Sequence, residues 1–106
     1  MGGFVYIITN KYNTALYVGS ATDLLFRIQQ HKNKAYKSSF SARYNISKLV
    51  YFECFNSRYE AYQREYQIKS GSRAKKIALI IKANPDFDDL YDDIVLNGIE
   101  KSIYNK

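Results

Sequence analysis

Apolar residues in this chain come in strand-sized runs, Phe4–Ile8 and Leu49–Phe55, and in helical stripes, never in a stretch near the ~18 residues that cross a membrane. A chain of 106 residues patterned this way has room for one core, in which a few short strands are covered by helices. Hydrophobic residues at 46% and aromatics at 16% exclude a disordered polypeptide. Phe4–Ile8 is too short for the apolar segment of a secretion signal, so a cytoplasmic location is expected. The single cysteine, Cys54, excludes a disulfide framework and a cysteine-rich zinc site.

The order of elements reads directly along the chain. Phe4–Thr9 is β-branched and aromatic, Asn10 to Asn13 supply turn residues, and Ala15–Gly19 returns as a second strand. A four-residue loop at Asn10–Asn13 predicts a ladder with Tyr6 directly opposite Tyr17. Ser20 is the expected cap of a helix running to about Lys34, with Asp23, Arg27 and His31 stacked one turn apart.

Residues Asn33 to Lys48 read as a basic loop, and Leu49–Phe55 as a central strand. Ser57 and Glu60 form a capping box, in which each side chain satisfies the other's backbone amide, and open a helix to Lys69. Ser70-Gly71 ends it. A further helix spans Arg73 to Lys82 and stops at Asn84-Pro85, because proline disfavours helical backbone in the residue before it. Asp88–Leu96 reads as a short acidic helix, and Ser102–Lys106 as a polar end. The class is α+β.

Charge is divided along the chain. Residues 1–82 hold 14 Lys and Arg against 4 acids, or +10, while residues 83–106 hold 2 against 6, or −4. A body this basic attracts phosphate backbones through counterion release, although ordinary basic proteins reach similar charge. An acidic tail could also dock on a basic partner surface, including that of a second copy in a homodimer.

Four residue types in this pattern suggest chemistry. Glu65 shares a helical stripe with Ala61, Tyr62 and Ile68, where a carboxylate is costly unless paired or metal-bound. It has an ordinary explanation as an ion pair with Lys69, four residues on. Tyr6 and Tyr17 are equally at home as sheet packing. Arg27 can pair with Asp23, and His31 can serve as a cation at a helix C-terminus. As a set they gain meaning: phosphodiester hydrolysis needs a carboxylate for a metal, a cation for developing charge and a group that activates water.

On these residues the chain resembles the GIY-YIG nucleases. Phe4-Val5-Tyr6 and Tyr17-Val18-Gly19 stand where that family carries its two name-giving triplets, at about the right separation. The likeness continues through Ser20 to Leu24, Arg27 and His31 on the next helix, and Glu60-Ala61 with Glu65 beyond. It covers roughly residues 3–82. From Lys69 to about Ile94 the chain is similar to the small stand-alone bacterial members. This places a nuclease-like domain at 1–94 and a tail at 95–106.

The resemblance implies a three-stranded antiparallel sheet flanked by helices, a DNA substrate and one divalent cation, magnesium or manganese, on Glu65. It implies Tyr6 as general base, Tyr17 as orienting the water or sharing that role, and Arg27 as neutralising the transition state. His31 matches a position often held by His or Tyr. A free tyrosine titrates near ~10, so Tyr6 acts as a base at neutral pH only if the metal or Arg27 favours its phenolate.

The chain departs from the family at Phe4, which replaces the first glycine, and at Phe26, where a charged residue is common. Lys32, Lys34, Lys37, Arg43, Lys48 and Lys69 are the expected phosphate contacts. DNA repair is one role open to such a cassette. The alternative is a non-catalytic nucleic-acid-binding module of the same fold.

Overall fold

The computed structural model describes residues 2–33 and 46–98. Three strands, β1 (Gly3–Thr9), β2 (Leu16–Ala21) and β3 (Lys48–Phe55), form an antiparallel sheet in the order β2-β1-β3. Among the described residues four helices accompany them: α1 (Leu24–Lys32), α2 (Arg58–Ser70), α3 (Arg73–Ala83) and α4 (Tyr91–Asn97). The architecture is the expected α+β sheet flanked by helices.

β1 is central because every residue from Val5 to Thr9 is buried, on both faces of the strand. Tyr6 and Ile8 face one cluster with Leu24 and Ile28 of α1, Leu49 and Phe52 of β3, and Leu90 and Ile94. Val5 and Ile7 face the other, with Val18, Val50, Ala61, Ile68 and Ile80. The sheet therefore separates α1 and α4 on one side from α2 and α3 on the other.

β3 keeps its apolar residues on the correct faces by a bulge. Ile7 pairs with Tyr51 but Ile8 pairs with Leu49, leaving Val50 as an extra residue. Leu49 and Phe52, three apart, thus share a face, which regular alternation would forbid. The carbonyl of Val50 accepts a hydrogen bond from the buried Asn84 Nδ2 at 3.0 Å. Asn84 also donates to the Asp88 carbonyl at 2.9 Å and accepts from the Asp88 amide at 3.1 Å. Asp89 and Leu90 follow onto the same strand: Leu90 N donates to Leu49 O at 2.8 Å and Leu49 N to Asp89 Oδ1 at 3.2 Å.

Several local expectations are corrected. The hairpin register is offset by two residues: Tyr6 pairs with Gly19, and Tyr17 with Ile8. The loop is longer than expected because the Asn10 side chain builds a second turn within it. Asn10 Oδ1 accepts from the Thr14 and Ala15 amides at 2.8 and 3.2 Å, and Asn13 takes a left-handed φ of 59°. An even offset leaves both tyrosines on one face, so their predicted companionship survives.

Ser20 lies in β2 and does not cap α1; Asp23 does, accepting from Phe26 N at 3.1 Å. The capping box at Ser57 is as expected, with Glu60 N donating to Ser57 Oγ at 3.2 Å. Tyr62 leaves the predicted apolar stripe and stands 63% exposed. The last helix begins at Tyr91, three residues after the expected Asp88. Lys34, Lys37 and Arg43 lie outside the described residues, as does Ser102–Lys106.

Candidate active site

Tyr6 is the centre of a polar group enclosed by β1, β2 and α1. Its ring lies across β2 at Gly19, where a side chain would collide: a Cβ there would be 2.5 Å from the Tyr6 oxygen. The hydroxyl shares a hydrogen bond of 3.1 Å with His31 Nε2. Tyr17 and His31 rings stand 6.5 and 5.8 Å from the Tyr6 ring, and 5.6 Å from each other. The three rings form a triangle, two supplied by the hairpin and one by the second turn of α1.

Arg27 is held one turn before His31 by the Asp23 cap, with its amide on Asp23 O at 3.1 Å. Its Nε is buried and has no hydrogen-bond partner among the described residues. A buried donor of that kind leaves about 1–3 kcal/mol of interaction unmade, which an anion can supply.

Glu65 enters from the other side of β2. It projects from α2, whose close approach to the sheet depends on Gly3: a Cβ there would sit 2.9 Å from the Ala61 Cβ. Ser20 Oγ donates to Glu65 Oε1 at 2.5 Å, and Lys69 Nζ pairs with Oε2 at 2.5 Å. The carboxylate is 14% exposed. Its ordinary explanation, pairing with Lys69, is thus real, and so is a second partner that helix periodicity could not supply. The site straddles an edge strand, phenols on one face and carboxylate on the other.

Electrostatics tie the two halves together. Burial holds the Tyr6 hydroxyl well above the ordinary tyrosine range; Tyr17 and the Glu65 charge add to this, while Arg27 opposes it. His31 is pushed below its usual value by burial first and by Arg27 second. At neutral pH Tyr6 is a phenol and His31 a neutral imidazole, so Nε2 can receive the phenolic proton. The hydrogen bond to Glu65 raises Lys69, fixing it as a cation.

Glu65 can take part in a cation site of modest demands. Among the described residues no three His, Cys, Asp or Glu side chains gather as a metal-binding group. A magnesium ion held by one carboxylate, with water and substrate phosphate completing the shell, needs no such cluster. It would have to compete with Lys69 for Oε2.

The expected phosphate contacts are dispersed. Lys69 adjoins Glu65; Lys48 is half-buried at the start of β3; Lys32 pairs with Asp89 at 2.6 Å and lies over the Tyr91 ring. Phe26 is 58% exposed. Sequence reasoning missed Ser20 as the partner of Glu65 and Gly19 as the cradle of Tyr6. Gly19 was legible only as part of its triplet, and nothing local marks Ser20.

Comparison with known proteins gives a consistent result. Residues 2–78 match the model of the GIY-YIG catalytic domain. A UPF0213 protein of Staphylococcus saprophyticus is 40% identical over 77 residues, covering 73% of this chain and 92% of that protein. A UPF0213 protein of Haloquadratum walsbyi is 37% identical over 73 residues, covering 69% and 80%. The solution structure of a UPF0213 protein from Bacillus halodurans superposes with a TM-score of 0.52 at 30% identity, over 84% of this chain and 93% of that one.

Proposed function

The chain belongs to the GIY-YIG family, whose catalytic domain is that of a nuclease, and on that footing we propose that it is a metal-dependent endonuclease cutting DNA phosphodiester bonds. The observation that carries this reading is the convergence on Tyr6 of a proton acceptor, His31, and the Arg27 guanidinium, whose buried Nε has no partner among the described residues, with Glu65 within electrostatic reach.

In this reading residues 1–94 form the catalytic unit. Tyr6 accepts a proton from the attacking water as its own proton passes to His31 Nε2. The water oxygen forms the new bond to phosphorus, and the bond to the leaving oxygen breaks. Tyr17 orients the water from the neighbouring strand. Arg27 offers its Nε, which has no partner among the described residues, to the phosphate oxygens, where charge builds. A divalent cation, magnesium or manganese, held by Glu65 would polarise the phosphate and stabilise the leaving oxygen. Ser20 positions the carboxylate. Lys69, with Lys48 and the cations of 34–43, would contact the backbone without reading bases.

The test is cleavage of labelled single-stranded, duplex and branched DNA with magnesium, manganese or chelator, beside Glu65→Ala and Tyr6→Phe. Metal-dependent cutting lost in both variants is the expected result. A second reading, a non-catalytic binding module, draws on the Lys69 and Ser20 bonds that satisfy Glu65 without a metal. It is favoured if nothing is cut while wild type and Glu65→Ala bind DNA equally.

A further inference from the structure

α2 carries a second feature beside Glu65. Tyr59, Tyr62 and Tyr66 recur at helical spacing on its outward side and are 69%, 63% and 70% exposed. Large aromatics are ordinarily drawn into cores or interfaces, and three on one helix face form a patch rather than scattered exposure. Gln63 Nε2 donates to the Tyr59 hydroxyl at 3.1 Å, so at least that ring is steadied in solvent.

The stripe is continuous with the candidate site. Lys69 pairs with Glu65, and both Tyr17 and Tyr62 are close enough to raise its pKa further. A path therefore runs from the site through Lys69 to Tyr62, and on to Tyr66 and Tyr59 along the helix. Its charged neighbours on that face are Arg58 at one end and Lys69 at the other, both cations, with the acid Glu65 already paired.

We propose that this tyrosine stripe is a stacking platform for unpaired bases, so that the substrate of the site is a single-stranded segment of nucleic acid. The proposal rests on the nuclease reading for its chemistry, but its binding claim stands separately. Rings on successive rungs are ~4.5 and ~6 Å apart along the helix axis, from the 1.5 Å rise per residue. Bases in a duplex are stacked about 3.4 Å apart, and cannot open onto such rungs. An unpaired strand can place bases on separate rings, while the cations at either end hold its phosphates. Stacking of this kind is tolerant of sequence. Phenol hydroxyls at the rim keep the patch wettable, which suits a strand that comes and goes.

The experiment measures binding with chelator present, so that cleavage plays no part. The intact protein is titrated with a thymidine 20-mer, a uridine 20-mer and a blunt duplex, following tyrosine fluorescence and anisotropy. Tyr62→Ala/Tyr66→Ala is compared with Tyr62→Phe/Tyr66→Phe, which keeps the rings. The expected result is single-strand binding tighter than duplex binding, weakened about ten-fold or more by the alanine pair and retained by the phenylalanine pair. Tighter binding of either single strand supports the proposal and decides between DNA and RNA. Equal affinity for duplex, or alanine variants that bind like wild type, overturns it. So does a change of oligomeric state in the alanine pair with no change in affinity, which would make the stripe a contact between copies. Stacking here, together with no cleavage in the magnesium or manganese assay described above, would sink the nuclease reading and leave this one; cleavage of duplex in that assay, indifferent to the alanine pair, would do the reverse.

Discussion

Gly19 stands directly opposite Tyr6 in the β1–β2 ladder and leaves the space in which the Tyr6 ring lies. A methyl group there would meet the phenol at 2.5 Å from its oxygen, and β1, buried on both faces, cannot retreat. Gly19→Ala should therefore displace the hydroxyl from His31 and cost about 1–3 kcal/mol of stability through overpacking. A misplacement of ~1 Å at a reacting group costs on the order of 100-fold in rate. Thermal melting and cleavage rates measured on the same preparation check both; a variant as active as wild type would remove Tyr6 from the chemistry.

Tyr6→Phe keeps the ring and its packing. It should lose about 1–3 kcal/mol, the cost of removing one partner of a buried hydrogen bond, yet lose about 10²–10⁴-fold in cleavage as a missing general base. Comparable losses in folding and activity would instead mark the hydroxyl as structural.

His31 resists protonation in the folded chain, whereas in the unfolded chain it titrates near its ordinary 6.5. As pH falls below that value the unfolded state takes up a proton the native state refuses, so stability drops until the lowered folded pKa is passed. Cleavage should hold through that range and fall only as pH drops through the lowered folded pKa, where His31 becomes an imidazolium that cannot accept the Tyr6 proton. Melting curves from pH 8 to pH 5 should show the decline, and His31→Gln should flatten this component of it.

On the proposed reading, a metal would compete with Lys69 for Glu65 Oε2. Lys69→Ala should lower the magnesium concentration needed for half-maximal cleavage, because the oxygen is released. It should also weaken DNA binding and reduce its salt dependence by about one ion. A magnesium requirement unchanged by Lys69→Ala would mean that no ion binds at that oxygen.

Asn84 joins the end of α3 to the bulge of β3 through two donated and one accepted hydrogen bonds. Asn84→Ala strands the buried groups it serves, at about 1–3 kcal/mol for each left unsatisfied. Urea unfolding should register the loss while the affinity for a single-stranded oligonucleotide is retained.

Features set by near neighbours in sequence were legible before the fold was seen. The hairpin, the Ser57 capping box and the stop at Asn84-Pro85 each depend on a few adjacent residues. The register of the hairpin was not, because it turns on the Asn10 side chain acting as backbone within the loop. Nor was the bulge at Val50, which exists only in relation to β1. In the site, Tyr6, Tyr17, Arg27, His31 and Glu65 were picked out by residue type and family spacing. Ser20 was assigned to a helix cap because its real partner lies 45 positions away. Tyr62 was drawn inward by a helical stripe whose width the sequence does not state.

The hydrogen bonds that Asn84, Asp89 and Leu90 make with Leu49 and Val50 have one more effect. Edge strands expose amides and carbonyls that another chain can use to extend the sheet, the first step toward aggregation. At the apolar start of β3 those groups are already taken by the polypeptide's own later residues. The segment from Asn84 to Leu90 is a guard rail, and the aspartates along it turn that end of the sheet from a template for strangers into a charged border.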